Sequence, residues 1–311
     1  MKAVDLFCGC GGLSLGLTRA GITLCAAYDA WGKAVEVYRS NIDDHPCFEF
    51  NLADADLAAE HIRDFAPELI AGGPPCQDFS HAGRRTEGRN ASLTESFGSI
   101  INSVLPNYFL MENVDRAQSS EAYLSFKTQV TNAGYDIVER VIDASLVGVP
   151  QRRKRFFCVG VKNGEARAIG EYLDSNLART PTTIRDYLGD ELGVEHYYRH
   201  PRNYNRRGVF SIDEPSPTVR GVNRPVPSGY QGHHGDTAKV TKTLRPLSTL
   251  ERARLQTFPK GFRFEGTKTD LEQMIGNAVP VDLAKYVGSS ICNFHKASIV
   301  DASPTKRSMK K

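Results

Sequence analysis

The sequence lacks the features of a membrane or secreted protein. None of its apolar runs approaches the roughly 20 residues of a membrane-spanning helix. The N-terminus, MKAVDLFCGCGG, has no apolar segment before a cleavage site, so no secretory signal is expected. The seven cysteines are odd in number and have no second close pair or histidine cluster to complete a zinc site. We therefore expect a cytoplasmic protein with reduced thiols, without a metal ion and without a membrane partner.

A strong excess of charge is also missing. The net charge is +3, which is too small to indicate a nucleic-acid partner by itself. The cations are concentrated in the second half, in QRRKR (151–155), YYRHPRNYNRR (197–207) and KRSMKK (306–311). A solvated basic face explains any one of these clusters about equally well. The aromatic residues interleaved with arginine in 197–207 slightly favour a nucleic-acid surface.

The first half of the chain alternates strand-like and helix-like segments. KAVDLF, ITLCAAYD, PELIAGG and NYFLMEN read as apolar strands, and helix-like segments such as GLSLGLTRAG and WGKAVEVYRSN separate them. This alternation predicts an α/β fold with a doubly wound, mostly parallel sheet. With 311 residues, 40% hydrophobic and 24% charged, the chain is long enough for one large or two moderate domains.

The pattern fades after RFFCVGV (155–161), where a stretch rich in Arg, Tyr, Pro and Gly begins. We predict a first domain over residues 1–161 and a smaller lobe over 162–245. Helical segments then return the chain to the first domain over 246–296. The remaining basic residues, 297–311, are expected to be a disordered tail.

The stretch GGPPCQDFS (72–80) places Cys76 directly after a Gly-Gly-Pro-Pro run. An isolated cysteine is most often a small buried hydrophobic residue, and such a run is most often a turn. The preceding segment reads as a buried strand, however, so Cys76 comes just beyond its carboxyl end. In open α/β sheets ligands bind in that crevice, which favours a functional thiol.

Two carboxylates follow predicted strands in the same way. Asp29 ends the second strand, where a carboxylate suits the two hydroxyls of a ribose, although a helix N-cap before Trp31 explains it equally well. Glu112 lies at the end of the strand NYFLMEN. It is either an exposed charged residue at the end of an apolar strand or a partner of Cys76. A thiol and a carboxyl group at one edge suit nucleophilic attack with acid assistance.

The glycine-rich DLFCGCGGLSLGL follows the first strand and opens the first helix, where free N–H groups and small residues favour ligand binding. Taken with GGPPCQDFS, MENV, QRRKR and GNAVPV, in this order and spacing, it closely resembles the cytosine-C5 DNA methyltransferases of bacterial restriction-modification systems. The resemblance covers about residues 3 to 294. It implies a Rossmann-like methyltransferase fold, S-adenosylmethionine as cofactor with S-adenosylhomocysteine as product, and double-stranded DNA as partner. It also implies a monomer, with a cognate restriction endonuclease in the same system.

The resemblance implies a role for each catalytic residue. Cys76 would add to C6 of a flipped-out cytosine, which makes C5 able to accept the methyl group. Glu112 would hold N3 of the base in protonated form. Arg155 would contact the base oxygen O2, with Arg153 supporting the loop. The rigid Pro74-Pro75 segment would fix the thiol on the face of the ring.

The resemblance also implies binding residues. Asp29 stands where the family often has Glu, and Asn51 stands where Asp is common, so altered contacts rather than lost binding are expected. The implied cofactor residues are Phe7, Gly9, Gly11, Leu13, Asp29, Asn51, Leu52, Pro74, Leu93 and Asn277. The candidate DNA-contacting residues are Gln77, Ser80, Gln151, Arg220 and Arg224. An ordinary polar role in the turn explains Gln77 and Ser80 equally well, and the arginines either read guanine edges or touch phosphates.

Three alternatives remain at this point. A tRNA cytosine-C5 methyltransferase would share the catalytic residues, but its typical Cys-Phe-Thr signature is absent, since Cys158 is the only cysteine between residues 77 and 291. A non-catalytic DNA-binding relative would usually lack the nucleophile or the acid. A redox-sensing Rossmann protein would explain Cys76 but not QRRKR or GNAVPV.

Overall fold

The computed structural model describes residues 1–75, 91–203 and 205–302. Within these ranges the secondary structure follows the predicted alternation. The strands of the main sheet and of the smaller lobe are β1 (Lys2–Leu6), β2 (Thr23–Asp29), β3 (Cys47–Glu49), β4 (Leu69–Gly72), β5 (Tyr108–Val114), β6 (Tyr135–Asp143), β7 (Gln151–Arg152), β8 (Lys154–Lys162), β9 (His196–Tyr198), β10 (Val209–Ser211) and β11 (Ser216–Pro217). The helices are α1 (Gly12–Arg19), α2 (Gly32–Arg39), α3 (Ala55–Arg63), α4 (Ala91–Val104), α5 (Glu121–Asn132), α6 (Arg167–Ser175), α7 (Ile184–Leu188), α8 (Thr249–Leu255), α9 (Lys268–Asn277) and α10 (Val281–Ala302).

A seven-stranded sheet in the order β3-β2-β1-β4-β5-β8-β6 forms the centre of the molecule. Strands β1 to β5 are parallel to one another, whereas β8 runs antiparallel to both β5 and β6. The prediction of a doubly wound, mostly parallel sheet is therefore confirmed. The strand order reverses between β1 and β4, and such a switch point opens a crevice at the carboxyl edge of a sheet.

Helices cover both faces of the sheet because its central strands are apolar on both sides. One face packs against α1, α6 and α10 through residues such as Leu17, Ile169 and Val287. The other packs against α3, α4 and α5, with Phe97 and Phe126 fully buried. Each fully buried side chain of this size contributes about 1.5–3 kcal/mol. This burial holds the strand ends, and thus the site that they carry, in fixed positions.

The smaller lobe is built on the β9–β10 hairpin and α7. Its apolar residues, including Ile184, Tyr197 and Phe210, share one cluster with residues of α2, α8 and α9. Helix α6 instead packs against α10 and β6 of the large sheet. The division of the chain at residue 162 stays a prediction.

The C-terminal helix is longer than the sequence suggested. It extends to Ala302, so the described chain is still helical beyond residue 297, where a disordered tail was expected. Apolar packing of its first turns, through residues such as Leu283 and Val287, lets the helix propagate into less apolar sequence. In the described part of the chain, no helix has the length and apolarity to cross a membrane.

Candidate active site at the carboxyl edge of the sheet

The ends of five neighbouring parallel strands bring the predicted functional residues to one edge. Each of the strands β1 to β5 has one of these residues within two positions of its carboxyl end. In strand order, they are Phe7, Asp29, Asn51, Pro74 and Glu112. Because these strands are parallel neighbours, residues from distant parts of the sequence lie along one edge of the sheet, at the switch point where ligands bind in open α/β sheets.

The glycine-rich turn after β1 has an unusual backbone. Phe7, Gly9 and Gly11 all have positive φ, at 59°, 54° and 96°. Among the residues that the structure describes, a Cβ at Gly9 would meet nothing within 4 Å, so they leave this side of the turn open. At Gly11 a Cβ would lie 2.7 Å from Cδ1 of Ile42, so its lack of a side chain serves close packing against the segment after α2. The described part of the chain therefore leaves the backbone surface at Gly9 open.

Asp29, at the end of β2, is hydrogen-bonded to this turn. Its two carboxylate oxygens accept hydrogen bonds from the backbone N–H groups of Gly9 and Trp31, both at 2.8 Å. Trp31, not Asp29, is the N-cap residue of α2, so the helix-cap interpretation of Asp29 is wrong. Burial raises the pKa of Asp29, and the backbone donors partly oppose this. Each oxygen keeps a lone pair for a further donor.

A second carboxylate is buried beneath the turn. Asp5 is fully buried, and it accepts a hydrogen bond of 2.5 Å from Oγ of Ser14 in α1. Its other oxygen, Oδ1, has no partner among the described residues. Burial raises the pKa of Asp5 from 3.8 to about 7, since an ionised carboxylate is costly where water cannot reach it.

We predict that Asp5 makes stability pH-dependent. The native state keeps a proton that the unfolded state loses near pH 3.8, so the free energy of unfolding falls as the pH rises from about 4 to about 7. Asp5→Asn should lack this dependence. The wild type loses of order 3–4 kcal/mol in free energy of unfolding over this pH range, and the variant should not. Urea unfolding of both proteins at several pH values measures it. Parallel pH profiles would contradict the prediction.

The other predicted cofactor residues differ in their surroundings. Leu13 and Leu52 are buried, with 4% and 2% of their surface exposed, so their side chains serve the apolar core. Asn51 is exposed, and its Oδ1 accepts a hydrogen bond of 3.1 Å from the N–H of Ala53. Leu93 is half-buried in α4, and Asn277 is exposed at the end of α9.

Glu112 and Arg155 form a largely buried ion pair. Nε of Arg155 lies 2.9 Å from Oε1 of Glu112, and the two side chains are only 13% and 10% exposed. Antiparallel pairing of β5 with β8 brings them together, because Val114 faces Arg155 in that ladder. Burial raises the pKa of Glu112, and the charges of Arg155 and Arg153 oppose this only in part. The carboxyl group is therefore easier to protonate than an exposed glutamate.

The loop that leads to Cys76 is held against the same strand. Nδ2 of Asn113 donates a hydrogen bond of 3.1 Å to the carbonyl oxygen of Pro74, and Asn113 is 5% exposed. A Cβ at Gly73 would lie 3.1 Å from Oε2 of Glu112, so a glycine lets the loop pass close to the carboxyl group. Sequence reasoning missed Asn113, although its place in MENV beside Glu112 was the available signal. Cys76 itself lies outside the described residues, as do Gln77 and Ser80.

Arg153 is buried beneath Arg155 and ties three segments together. With 1% exposure, it donates hydrogen bonds to the carbonyl oxygens of Val219, Gly276 and Ala278 at 2.9–3.0 Å. Burial, followed by the nearby Arg155, lowers its pKa. Arg153 thus holds the carboxyl edge of the sheet, here called the catalytic edge, against the smaller lobe and the end of α9.

Gln151 is a correction to the sequence-based assignment. It was predicted to contact DNA, but it is fully buried. Its Nε2 donates to Oε1 of Gln256 at 2.8 Å, and its Oε1 accepts from the N–H of Val219 at 2.8 Å. A side chain whose amide groups are satisfied inside the protein has none left for DNA. Gln151 instead joins the catalytic edge to the smaller lobe.

The glycine of GNAVPV has a packing role. A Cβ at Gly276 would lie 2.2 Å from the backbone nitrogen of Gly221, so only glycine allows the lobe segment to approach α9 so closely. This contact lies next to Arg220, which is half-buried, while Arg224 is exposed. Both predicted DNA-contacting arginines thus belong to the lobe segment that Arg153 and Gln151 hold against the catalytic edge.

Comparison with known proteins finds matches over nearly the whole chain. The family model described as C-5 cytosine-specific DNA methylase matches residues 1–293. Type II methyltransferase M.HindV of Haemophilus influenzae is 53% identical over 302 residues, covering 96% of this chain and 99% of that protein. Type II methyltransferase M.HgiDI of Herpetosiphon aurantiacus is 48% identical over 292 residues, covering 94% of each.

Solved structures resemble the fold. The crystal structure of the S. pombe Dnmt2 methyltransferase superposes with a TM-score of 0.68 and covers 95% of this chain and 99% of its own. At 19% identity, this likeness concerns the fold alone.

Proposed function

Because this chain belongs to the C-5 cytosine-specific DNA methylase family, we propose that it methylates C5 of one cytosine within a short recognition sequence of double-stranded DNA, as the modification enzyme of a restriction-modification system. The chain is thus an enzyme, a cytosine-C5 DNA methyltransferase. The observation that carries the proposed mechanism is the buried Glu112–Arg155 pair beside the Pro74 loop, which leads to Cys76.

The crevice fits S-adenosylmethionine, which the family and the fold use. No other part of the described chain covers the turn at Gly9, and the carboxylate of Asp29 keeps acceptor capacity beside it, which suits ribose hydroxyls. The proposed binding site is completed by the remaining predicted residues: Phe7, the backbone of Gly11 and Leu13, and Asn51, Leu52, Pro74, Leu93 and Asn277. When bound, S-adenosylmethionine supplies an electrophilic methyl group on a sulfonium sulfur.

Cys76 is the proposed nucleophile. Its thiolate adds to C6 of the cytosine, and the electron pair of the C5–C6 double bond moves toward C5 and N3, which makes C5 nucleophilic. Once C5 carries the methyl group, loss of the C5 proton and expulsion of the thiolate restore the aromatic ring. The atoms of C6 are not accessible inside a stacked duplex, so the target base must leave the helix.

Glu112 and Arg155 bind the polar edge of the flipped base. Protonated Glu112 donates its proton to N3, so that negative charge does not accumulate on the ring when sulfur attacks. Arg155 has five N–H donors, and only some are used by Glu112 and the carbonyl oxygen of Lys154, so donors remain for O2 of the base. Arg153, which is buried, acts by holding this edge in place.

We predict that Asn113→Ala slows methyl transfer without preventing DNA binding. Without the hydrogen bond from Asn113, the Pro74 carbonyl is no longer fixed two residues before the nucleophile. Misplacement of a reacting group by about 1 Å costs up to about 100-fold in rate. Steady-state kinetics should therefore give a kcat that is about 10- to 100-fold lower at a nearly unchanged KM for DNA. An unchanged kcat would show that Asn113 has no part in positioning this loop.

The proposed function is tested by bisulfite sequencing of plasmid DNA from cells that express the chain, beside cells that express Cys76→Ala. Protected cytosines at one position of one short recurring sequence are expected with the wild-type chain alone. The recurring sequence would identify the target at the same time. Absence of protection with expressed, folded protein would contradict the proposal, and tRNA would be tested next.

We also propose that the enzyme acts as a monomer in the cytoplasm, on nucleoid DNA, together with a cognate restriction endonuclease. The Type II relatives M.HindV and M.HgiDI match this chain over 99% and 94% of their own lengths. A non-catalytic DNA-binding role is less well supported, because the chain keeps Cys76, Glu112 and Arg155.

A further inference from the structure

A cationic cleft lies between the smaller lobe and α8. Residues 197–200, 216–224 and 247–255 contribute its walls. Its charged lining consists of the side chains of Arg199, Arg220, Arg224 and Arg252, and His200, whose pKa burial lowers, lies among them. Arg202 follows His200 closely in the chain and is exposed. The sequence indicated Arg220 and Arg224 individually, but only the fold brings them to Arg199 and Arg202.

Most of these cations are not neutralised by the protein. Arg252 is paired with Glu272. Within residues 1–75, 91–203 and 205–302, no carboxylate lies within ion-pair distance of Arg199, Arg202, Arg220 or Arg224. The neighbouring carboxylates are used elsewhere, Glu214 by Arg207 and Glu251 by Arg245. Among the residues that the structure describes, no carboxylate therefore neutralises the positive charge of Arg199, Arg202, Arg220 and Arg224.

Backbone carbonyl groups hold the inner arginines in position. Arg199 donates a hydrogen bond of 2.7 Å to the carbonyl oxygen of Thr218, and Arg220 donates one of 2.5 Å to that of His200. A guanidinium group has five N–H donors, so each arginine keeps several for a ligand. Prepositioned donors lose less entropy when they bind.

The arginines also repel one another. Burial lowers the pKa of Arg199 to about 10, with further lowering by the charges of Arg220, Arg252 and Arg202. Burial lowers the pKa of Arg220 as well, and Arg202 and Arg224 add to the effect. A bound anion would relieve this repulsion, which favours a negatively charged ligand over a neutral one.

The cleft is joined directly to the catalytic edge. Strand β11 pairs with β7, and Oγ1 of Thr218 donates a hydrogen bond of 2.8 Å to the carbonyl oxygen of Arg152. Arg152 precedes Arg155 by three residues, which is about 10 Å of extended chain, and one strand spacing adds about 5 Å. At about 3.4 Å per base step, the cleft lies within about five steps of a base bound at Arg155.

We infer that Arg199, Arg202, Arg220 and Arg224 form a clamp for a backbone phosphate of the DNA, a few nucleotides from the target cytosine. This inference rests on the proposed function. Several converging cations in one cleft suit a charged phosphate, whereas reading a guanine edge requires one arginine in a bidentate geometry. The clamp positions the duplex and carries no sequence information.

The test measures DNA binding by Arg224→Gln and Arg202→Gln between about 50 and 200 mM salt. Both side chains are exposed, so unchanged thermal unfolding is expected. Two duplexes are compared: one carries the sequence found by bisulfite sequencing, and the other has that sequence scrambled. Each variant should bind both duplexes about 5- to 10-fold more weakly at about 0.1 M salt, with the salt slope reduced by about 0.9 per lost contact.

Two controls decide the interpretation. Arg167→Gln removes the same charge from an exposed arginine at the opposite edge of the sheet and should change neither affinity nor slope. Arg224→Lys should restore most of the affinity, because a lysine still binds phosphate as a point charge. Unchanged binding by both glutamine variants would overturn the inference, as would a loss confined to the target duplex with an unchanged slope. Methyl transfer by the wild-type chain, measured first, tests the proposed function separately.

Discussion

Replacement of Cys76 by alanine should abolish methyl transfer while leaving DNA binding intact. Without the thiolate, no bond forms at C6 of the cytosine and C5 stays too weakly nucleophilic to accept a methyl group. The rate should fall by more than about 10⁵-fold, below detection, since removing a covalent nucleophile removes the whole reaction path. The measurement is transfer of a radiolabelled methyl group to duplex DNA, with affinity for the same duplex measured in parallel.

A covalent trap sharpens this test. In a duplex with 5-fluorocytosine at the target position, the C5 fluorine cannot leave as a proton does, so the wild-type enzyme should remain attached to the DNA. Cys76→Ala should give no denaturation-resistant complex. Cys292→Ala is a matched control, because Cys292 is a buried cysteine in α10, in the apolar cluster against one face of the sheet. Detectable turnover by Cys76→Ala would exclude the proposed chemistry.

Glu112→Gln should slow methyl transfer by about 10²- to 10⁴-fold, the usual contribution of a general acid. The amide can still accept the hydrogen bond of Arg155, so the fold is expected to persist, but it has no acidic proton to give to N3. Single-turnover kinetics with saturating DNA and S-adenosylmethionine measures this step. Thermal unfolding of both proteins checks the fold.

The pH profile distinguishes an acid from a merely structural carboxylate. The reactive form of Glu112 is protonated, so the wild-type single-turnover rate should decline as the pH rises through its elevated pKa. Glu112→Gln should lack this decline. Glu171→Gln, which removes an exposed carboxylate paired with Arg167 at the opposite edge, should keep the wild-type profile. A near-normal rate for Glu112→Gln would assign the acid role to another group.

The sequence predicted the elements of the site well because their signals are local. A buried strand followed by a glycine, a proline or a carboxylate was enough to place Asp29, Pro74 and Glu112 at strand ends. Those ends share one edge whenever the strands are parallel, which the β-α alternation already indicated. The family resemblance, carried by motifs of a few residues each, was confirmed over residues 1–293.

The same local reasoning was wrong where burial decides. Gln151 is polar and flanked by arginines, so a DNA contact was expected, but pairing of β7 with β11 encloses it. No short-range signal in the sequence shows that the side-chain oxygen of Gln151 accepts a hydrogen bond from the N–H of Val219, which lies 68 residues later in the chain. The helix-cap alternative for Asp29 is wrong because α2 begins two residues later than that interpretation requires, with Trp31 as its N-cap residue. One oxygen of Asp29 binds Gly9, 20 residues earlier in the chain.

By itself, then, the sequence determined the parallel α/β sheet, and it indicated the edge of the sheet and the residue types on which the proposed chemistry depends. Only the tertiary structure decided which of these residues meet. It paired Glu112 with Arg155 through the antiparallel strand β8. It also gathered Arg199, Arg220 and Arg224 in one cleft, where no carboxylate of the described residues lies within ion-pair distance of them. The physical reason is range: strand and turn preferences act over a few residues, whereas burial and ion pairing depend on which distant segments the packed core brings together.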